Sequence, residues 1–311
     1  MNIITFDLEE WFHILNNPST DNESSWGNFE YRLRENLDRI LTMLNDSNNI
    51  ATFFCLGWVA RKYPHIIKEI DSLGHEIGSH SNAHQLIHRY DRNFFKKDLE
   101  VSINTLENII GKKVISYRAP GFSLVPETLW VFDELSKQGI EYDCSIFLGN
   151  HSHGGRIKAF GTGPSIINID GRKIKEFPIN SYKFLFKEVA FSGGGYFRFL
   201  PYQVIKRLMY RSEYIMTYFH PRDFDNGQPI IEDLSYLKLF KSYYGLKTSF
   251  LKAEKFLNEF DFVTLSHADK LVNWDQADQF DLVDGNLYKS CLLYTSDAAD
   301  DLLCVDLGGR R

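Results

Sequence analysis

Short apolar runs alternate with amphipathic stretches from the first residues of the chain. Ile3-Ile4-Thr5-Phe6 predicts a buried strand that starts almost at residue 1. Phe29, Leu33, Leu37, Ile40, Leu41 and Leu44 recur at three- and four-residue spacing and predict a helix across 29–45. A β-rich run at 51–56 precedes a helix through 66–73, and 75–80 reads as another strand end. Phe95, Leu99, Ile103, Leu106, Ile109 and Ile110 predict a helix across 94–110 that leads into a strand at 114–117. Pro126 opens a helix ending near Gly139, because proline suits a first helical turn. Strands at 140–143, 214–219 and 262–265 complete the pattern. Such alternation argues for an α/β fold, with a parallel sheet closed or wound by helices. Between 146 and 200 the pattern breaks into Gly- and His-rich loops with an Asp170-Gly171 hairpin turn. This stretch reads as an irregular insertion over one face, so that 1–290 form one domain.

Composition narrows the class. The 311 residues are 43% hydrophobic and 15% aromatic, too apolar for disorder. The net charge of −6, with no basic tract, gives no reason to expect nucleic acid. No run approaches the roughly eighteen apolar residues that span a bilayer, so no transmembrane segment is expected. The opening residues lack the basic and apolar regions of a signal peptide, and Cys55, Cys144, Cys291 and Cys304 show no paired spacing. Together these predict a cytoplasmic protein with reduced thiols. From Cys291 onward the composition turns small and acidic, and 291–311 resembles the translated read-through of a sequencing-library adapter. It is read as a non-native tail that replaces the natural C-terminus.

Four segments carry candidate chemistry. In Asp7-Leu8-Glu9-Glu10, strand alternation points Asp7 and Glu9 to one side, where two carboxylates invite a cation or a proton. In His80-Ser81-Asn82-Ala83-His84, two histidines four apart lie on one face of a helical turn and can share a metal ion. Adding a carboxylate such as Glu9 leaves coordination positions open, as a catalytic metal requires. In Arg118-Ala119-Pro120-Gly121-Phe122, the arginine can hold a carboxylate and the glycine lets backbone approach a ligand. An N–H of that turn could then meet an oxyanion. His220 ends an apolar strand in Phe219-His220-Pro221 and is a candidate general acid. Histidines 75, 88, 151 and 153 are read as surface or packing residues. Asp7, His80, Arg118, Asp143 and His220 all fall at or just after the C-terminal ends of predicted strands, the rim where (β/α) barrels build active sites.

The ordered set Thr5-Phe6-Asp7, His80–His84, Arg118-Ala119-Pro120-Gly121 and His220-Pro221 resembles the polysaccharide deacetylases with the NodB homology domain, over essentially residues 1–270. The runs from Phe6 to His13 and Tyr142 to Phe147, with Glu176-Phe177-Pro178 and Gly193 to Arg198, resemble the exosortase-associated branch of that family. The resemblance implies a single distorted (β/α) barrel and a divalent metal, usually zinc, held by a carboxylate, His80 and His84. It implies Asp7 as the base that takes a proton from the attacking water and His220 as the acid that protonates the leaving amine. Arg118 would position Asp7, Asp143 would orient His220, and a backbone N–H near Gly121 would meet the oxyanion, with Phe122 beside it. The family's first motif has two adjacent aspartates, the second binding the metal; Leu8 stands there, so Glu9 or Glu10 must substitute, and alternation favours Glu9.

The reading is therefore a metal-dependent hydrolase that removes acetyl groups from N-acetylated oligo- or polysaccharides of a bacterial surface or exopolysaccharide. Association with an exopolysaccharide synthesis system goes with it. Trp11, Phe12, Tyr196 and Phe197 are candidates for stacking on sugar rings. The alternatives are an allantoinase-like hydrolase of a small amide and a catalytically silent carbohydrate-binding protein.

Overall fold

The computed structural model describes residues 1–149, 153–155, 157, 159–184, 187–231 and 234–290. His151, Cys291, Cys304 and the whole of 291–311 lie outside the described residues. The first strands are β1 (Asn2–Ile3), β2 (Thr5–Leu8), β3 (Thr52–Cys55), β4 (Glu76–Ser79), β5 (Ser116–Tyr117) and β6 (Tyr142–Asp143). Strands β2 to β6 lie side by side in chain order, each parallel to the next. All residues of β2 and β3 are buried, as expected of parallel strands covered on both faces. The Phe6 and Phe53 rings stack at 5.1 Å between them.

The helices Leu33–Asp46, Pro64–Ser72 and Arg92–Ile110 form the connections, each within a few residues of its expected place. Asp91 caps the last of these through Phe94 N–H at 2.8 Å, and Gly111 ends it at φ +69°. Pro126 opens only a 3₁₀ turn, Pro126–Thr128, before the helix Val131–Lys137.

The 146–200 stretch is more regular than expected. Strands β7 (Ser165–Ile169) and β8 (Arg172–Glu176) form a hairpin. Its turn is Asp170-Gly171, both at positive φ. Strand β8 pairs parallel to β6 and so extends the main sheet. A second hairpin follows at β9 (Tyr182–Phe184) and β10 (Lys187–Val189).

On the free edge of β2 runs the segment containing β11 (Ile215–Met216), which pairs parallel to β1. Phe219 bridges Phe6, with Asp7 N–H donating to Phe219 O at 2.7 Å. The far side of this segment meets the chain beyond β8. Met216 N–H donates to Asn180 Oδ1 at 3.2 Å and the Tyr214 hydroxyl to Pro178 O at 2.8 Å. Tyr218 also bridges Gly193, with Gly194 N–H donating to Tyr218 O at 3.1 Å, so this far side is tied by side-chain bonds and an isolated backbone bridge, not by a continuous ladder. The strand expected at 262–265 is reduced to a bridge at Val263, because Thr264 caps the helix Leu265–Leu271. Strands β12 (Asp278–Val283) and β13 (Asn286–Lys289) extend the sheet beyond β7. No helix among the described residues is long and apolar enough to cross a membrane.

Candidate active site

Parallel pairing brings the candidate residues to one rim. Asp7 lies at the end of β2, His80 follows β4, Arg118 follows β5, Asp143 ends β6 and His220 follows the Phe219 bridge. The first connection is the Asp7–Arg118 ion pair, Oδ1 to Nη1 at 2.7 Å, both side chains buried. Arg118 also donates to Thr5 Oγ1 at 2.7 Å and to Cys144 O at 3.3 Å, and its guanidinium lies 4.2 Å over the Phe54 ring. With Oδ1 so held, Asp7 Oδ2 lies 3.7 Å from His220 Nε2.

Glu9, His80 and His84 form the only metal-capable group of three or more His, Cys, Asp or Glu among the described residues. Their ligand atoms lie within 4.8 Å of one another and all three residues are buried. Burial alone would raise the Glu9 pKa, but His84, His220 and His80 draw it well below the carboxylate range. His80 pairs Nδ1 with Arg118 O at 2.9 Å, which leaves Nε2 for a metal. Burial lowers its pKa to about 4, against the pull of Asp7, so it is neutral as a ligand must be. Glu9 Oε2 lies 2.5 Å from His84 Nε2, yet it has no partner with hydrogen-bond geometry. A buried, orphaned oxygen crowded against a ring nitrogen suits two donors that share a cation. Two histidines and one carboxylate are a zinc-type set with open positions, and these residues fit one.

The two histidines reach this geometry by a route other than the expected helical turn. Residues 80–84 are a loop, with Ser81 at φ +63° and His84 at +52°. Asp98, on the helix Arg92–Ile110, accepts from Asn82 N–H at 2.8 Å and Ala83 N–H at 3.1 Å. Ser81 Oγ accepts from His84 N–H at 3.1 Å. Glu10 serves the chain: its carboxylate accepts from the Arg32 and Leu33 amides at the start of the helix Leu33–Asp46.

Asp143, expected to orient His220, instead accepts from Ser145 N–H and Oγ at 3.1 and 2.7 Å. Ser145 Oγ in turn accepts from Ala119 N–H at 2.9 Å, so Asp143 braces the Arg118 loop. The place beside His220 belongs to Asp223, whose Oδ2 lies 3.1 Å from Nδ1 and accepts from the His220 amide at 2.9 Å. A carboxylate there only accepts, so Nδ1 carries hydrogen and Nε2 faces the site. Burial would lower the His220 pKa, but the Asp223 bond and the Glu9, Asp223 and Asp7 charges raise it to about 9. Asp223 is in turn 3.2 Å from Arg198 Nε, both buried.

Gly121 sits at φ +59°, and a Cβ there would meet Leu15 Cδ1 at 2.6 Å, so the turn requires glycine. The Phe122 amide donates to Ala119 O at 3.0 Å, and the Phe122 ring lies 5.6 Å from the Arg118 guanidinium. Trp11 is not a stacking platform: it is buried, packs against Phe12 and Phe29, and donates Nε1–H to Glu30 O at 2.8 Å. Phe12 and Phe197 are likewise core, while Tyr196 is exposed. His75 is structural, accepting from Ala51 N–H; Cys55 and Cys144 are buried free thiols.

The chain's pattern does not mark Asp223, Arg198 or Asp98 as site residues. Asp223 had one local signal, its place three residues after His220. Asp98 had none, since its partners are set by packing.

Two family profiles match the chain in succession: polysaccharide deacetylase over residues 17–140 and a domain of unknown function, DUF3473, over 144–270. A peptidoglycan-N-acetylglucosamine deacetylase of Bacillus cereus is 27% identical over 138 residues, 40% of this chain and 50% of that protein. The chain thus spans about half the length of this curated relative. A solved protein of Mycobacterium smegmatis assigned to the polysaccharide deacetylases shares the fold at a TM-score of 0.58 and 16% identity, covering 89% of this chain and 92% of its own. Puue allantoinase shares it at 0.55 and 14%, covering 86% and 88%. The chain thus carries a polysaccharide deacetylase domain over residues 17–140 followed by a DUF3473 domain over 144–270, and is homologous to peptidoglycan deacetylases.

Proposed function

We propose that this protein is a metal-dependent hydrolase that removes N-acetyl groups from N-acetylated sugars of a bacterial exopolysaccharide or cell-surface glycan. The observation that carries the reading is the meeting of three groups in one place. These are the Glu9, His80 and His84 set, Asp7 held by Arg118, and His220 held by Asp223. When bound, a divalent cation, zinc for this donor set, supplies activation of water and polarisation of the acyl oxygen. Asp7 Oδ2 takes the proton of the attacking water, since Arg118 fixes Oδ1. His220 Nε2 gives a proton to the sugar nitrogen as its bond to the acyl carbon breaks, releasing acetate and a free amine. A pKa of about 9 keeps His220 protonated at neutral pH, as an acid must be. The Gly121 amide is assigned to the developing oxyanion, because that of Phe122 is engaged within the turn.

The allantoinase-like reading shares the fold almost as closely, so substrate has to separate them. The test is acetate release from an N-acetylglucosamine oligosaccharide, with zinc and after chelation, for the protein and Asp7→Asn. Chelator-sensitive release that the variant loses is the expected result. No release with stoichiometric zinc bound would turn the reading to another amide. No release and no zinc binding by folded protein would turn it to a silent glycan binder.

A further inference from the structure

The helix Tyr236–Tyr243 reads Tyr-Leu-Lys-Leu-Phe-Lys-Ser-Tyr, yet none of its residues is buried. Tyr236 is 93% exposed, Leu237 65% and Phe240 48%. The same surface continues through Phe199 and Tyr244: Phe240 and Tyr244 are 4.7 Å apart by ring centroid, and Phe199 is 5.7 Å from Tyr244. A helix this short is ordinarily held by burying its apolar stripe. Polar ties hold this one instead. Arg198 donates to Lys241 O, Ser242 O and Tyr244 O at 2.8 to 3.0 Å. The Tyr243 hydroxyl donates to Pro229 O at 3.0 Å, and Lys238 Nζ to Asn16 O at 2.8 Å. The fold thus fixes the helix while leaving large apolar side chains outward.

Charge indicates what covers them. The chain carries a net charge of −6, yet between Asp233 and Glu254 there are four lysines and no carboxylate, Lys252 among them donating to the carbonyls of Phe197, Arg198 and Leu200. Lys238, Lys241 and Lys247 are exposed. Tyrosines, phenylalanines and a leucine flanked by lysines match an anionic lipid interface, where rings and aliphatic chains enter the headgroup region and ammonium groups meet phosphates. A sugar platform would use the rings but would have no use for Leu237 or the lysines. The face also borders the candidate active site. Arg198, which ties the helix, contacts the Asp223 carboxylate beside His220. Asn16, which receives Lys238, lies in the loop that follows Glu9 and Glu10.

We propose that the face formed by Phe199, Tyr236, Leu237, Phe240 and Tyr244, with its lysines, docks on an anionic membrane surface. Docking sets the catalytic rim against the bilayer, where a membrane-attached glycan would be met; this last clause alone rests on the proposed deacetylase reading. The test is co-sedimentation of the full chain with vesicles of phosphatidylglycerol and phosphatidylcholine, against vesicles of phosphatidylcholine alone. Binding is expected to be at least about 10-fold stronger to the anionic vesicles and to fall steeply with added salt. Leu237→Ser with Phe240→Ser should lower it about 10-fold or more, while Val101→Ser, an exposed apolar residue on the helix Arg92–Ile110, should leave it unchanged. Circular dichroism confirms that the variants are folded. Equal or absent binding to both vesicle types overturns the proposal. So does a dimer, seen by sedimentation, that the double variant dissociates while vesicles are ignored, since a second copy would then cover the face. Retention on an acetylated glycan matrix without vesicle binding would overturn it in favour of a sugar platform. Vesicle binding needs no catalysis, so failure here and failure of the deacetylase reading are separable.

Discussion

Two buried Arg–Asp pairs flank the site, and they are built differently. Asp7 and Arg118 are 2.7 Å apart at the ends of the parallel strands β2 and β5, which β3 and β4 separate in the sheet, and the guanidinium packs over Phe54 with further bonds to Thr5 and Cys144. Asp223 and Arg198 are 3.2 Å apart on connections beyond the sheet. Arg198 spends its other N–H groups on carbonyls of a surface segment, and the His220 that Asp223 orients is about a quarter exposed. The first pair is fixed by the strand ladder and presents its carboxylate directly. The second acts through an imidazole and depends on tethers. The Asp7 side of the candidate site should therefore be rigid and costly to disturb, and the His220 side more adjustable.

The sharpest test of that contrast is Asp7→Asn, expected to lower kcat about 10²- to 10⁴-fold while zinc still binds to one equivalent. If zinc is lost as well, the division of labour between Asp7 and Glu9 fails. Next are the two arginines. Arg118→Met leaves a fully buried carboxylate unpaired and should lose about 3–5 kcal/mol in urea unfolding. Arg198→Met should lose less, about 1.5–3 kcal/mol, because the carbonyls it leaves lie at the surface and can turn to water. Equal losses would break the comparison.

A smaller effect is expected at Asp98, which touches no ligand atom but holds the His80–His84 loop. Asp98→Ala should weaken zinc binding about 10- to 100-fold in chelator competition. The mildest change concerns pH. The Asp223 carboxylate favours protonated His220, whose pKa is about 9, and the acid fails as pH rises through that value. Asp223→Asn removes the attraction, so the alkaline limb of kcat/KM should move to lower pH by about one unit. A limb that stays in place would mean that Asp223 does not set the acid.

Much of this arrangement was legible along the chain. The strand that ends at Asp7 is apolar enough to announce itself, whereas those before His80 and Arg118, Glu76–Ser79 and Ser116–Tyr117, are marked by their place between amphipathic helices. Strand alternation also favoured Glu9 over Glu10, and the structure sends Glu10 to the amides of Arg32 and Leu33. Other features resisted. The four-residue spacing of the histidine pair suits a helical turn, whereas Asp98 supplies the long-range bonds that hold a loop with Ser81 and His84 at positive φ. Asp143 and Asp223 are both carboxylates near the right strands, and only distance separates the brace of Ser145 from the partner of His220. Trp11 looked like a sugar platform by residue type, but the rings of Phe12 and Phe29 enclose it.

The sequence by itself determined the α/β alternation, the strands that carry the candidate site residues and the residue types at their ends. These follow from local hydrophobic period and from side-chain chemistry, both of which are properties of neighbours along the chain. Tertiary structure alone decided which carboxylate meets which partner, how Glu9, His80 and His84 converge, and which aromatics are core. Those depend on groups dozens to hundreds of positions apart, whose meeting is set by sheet order and packing and leaves no local trace.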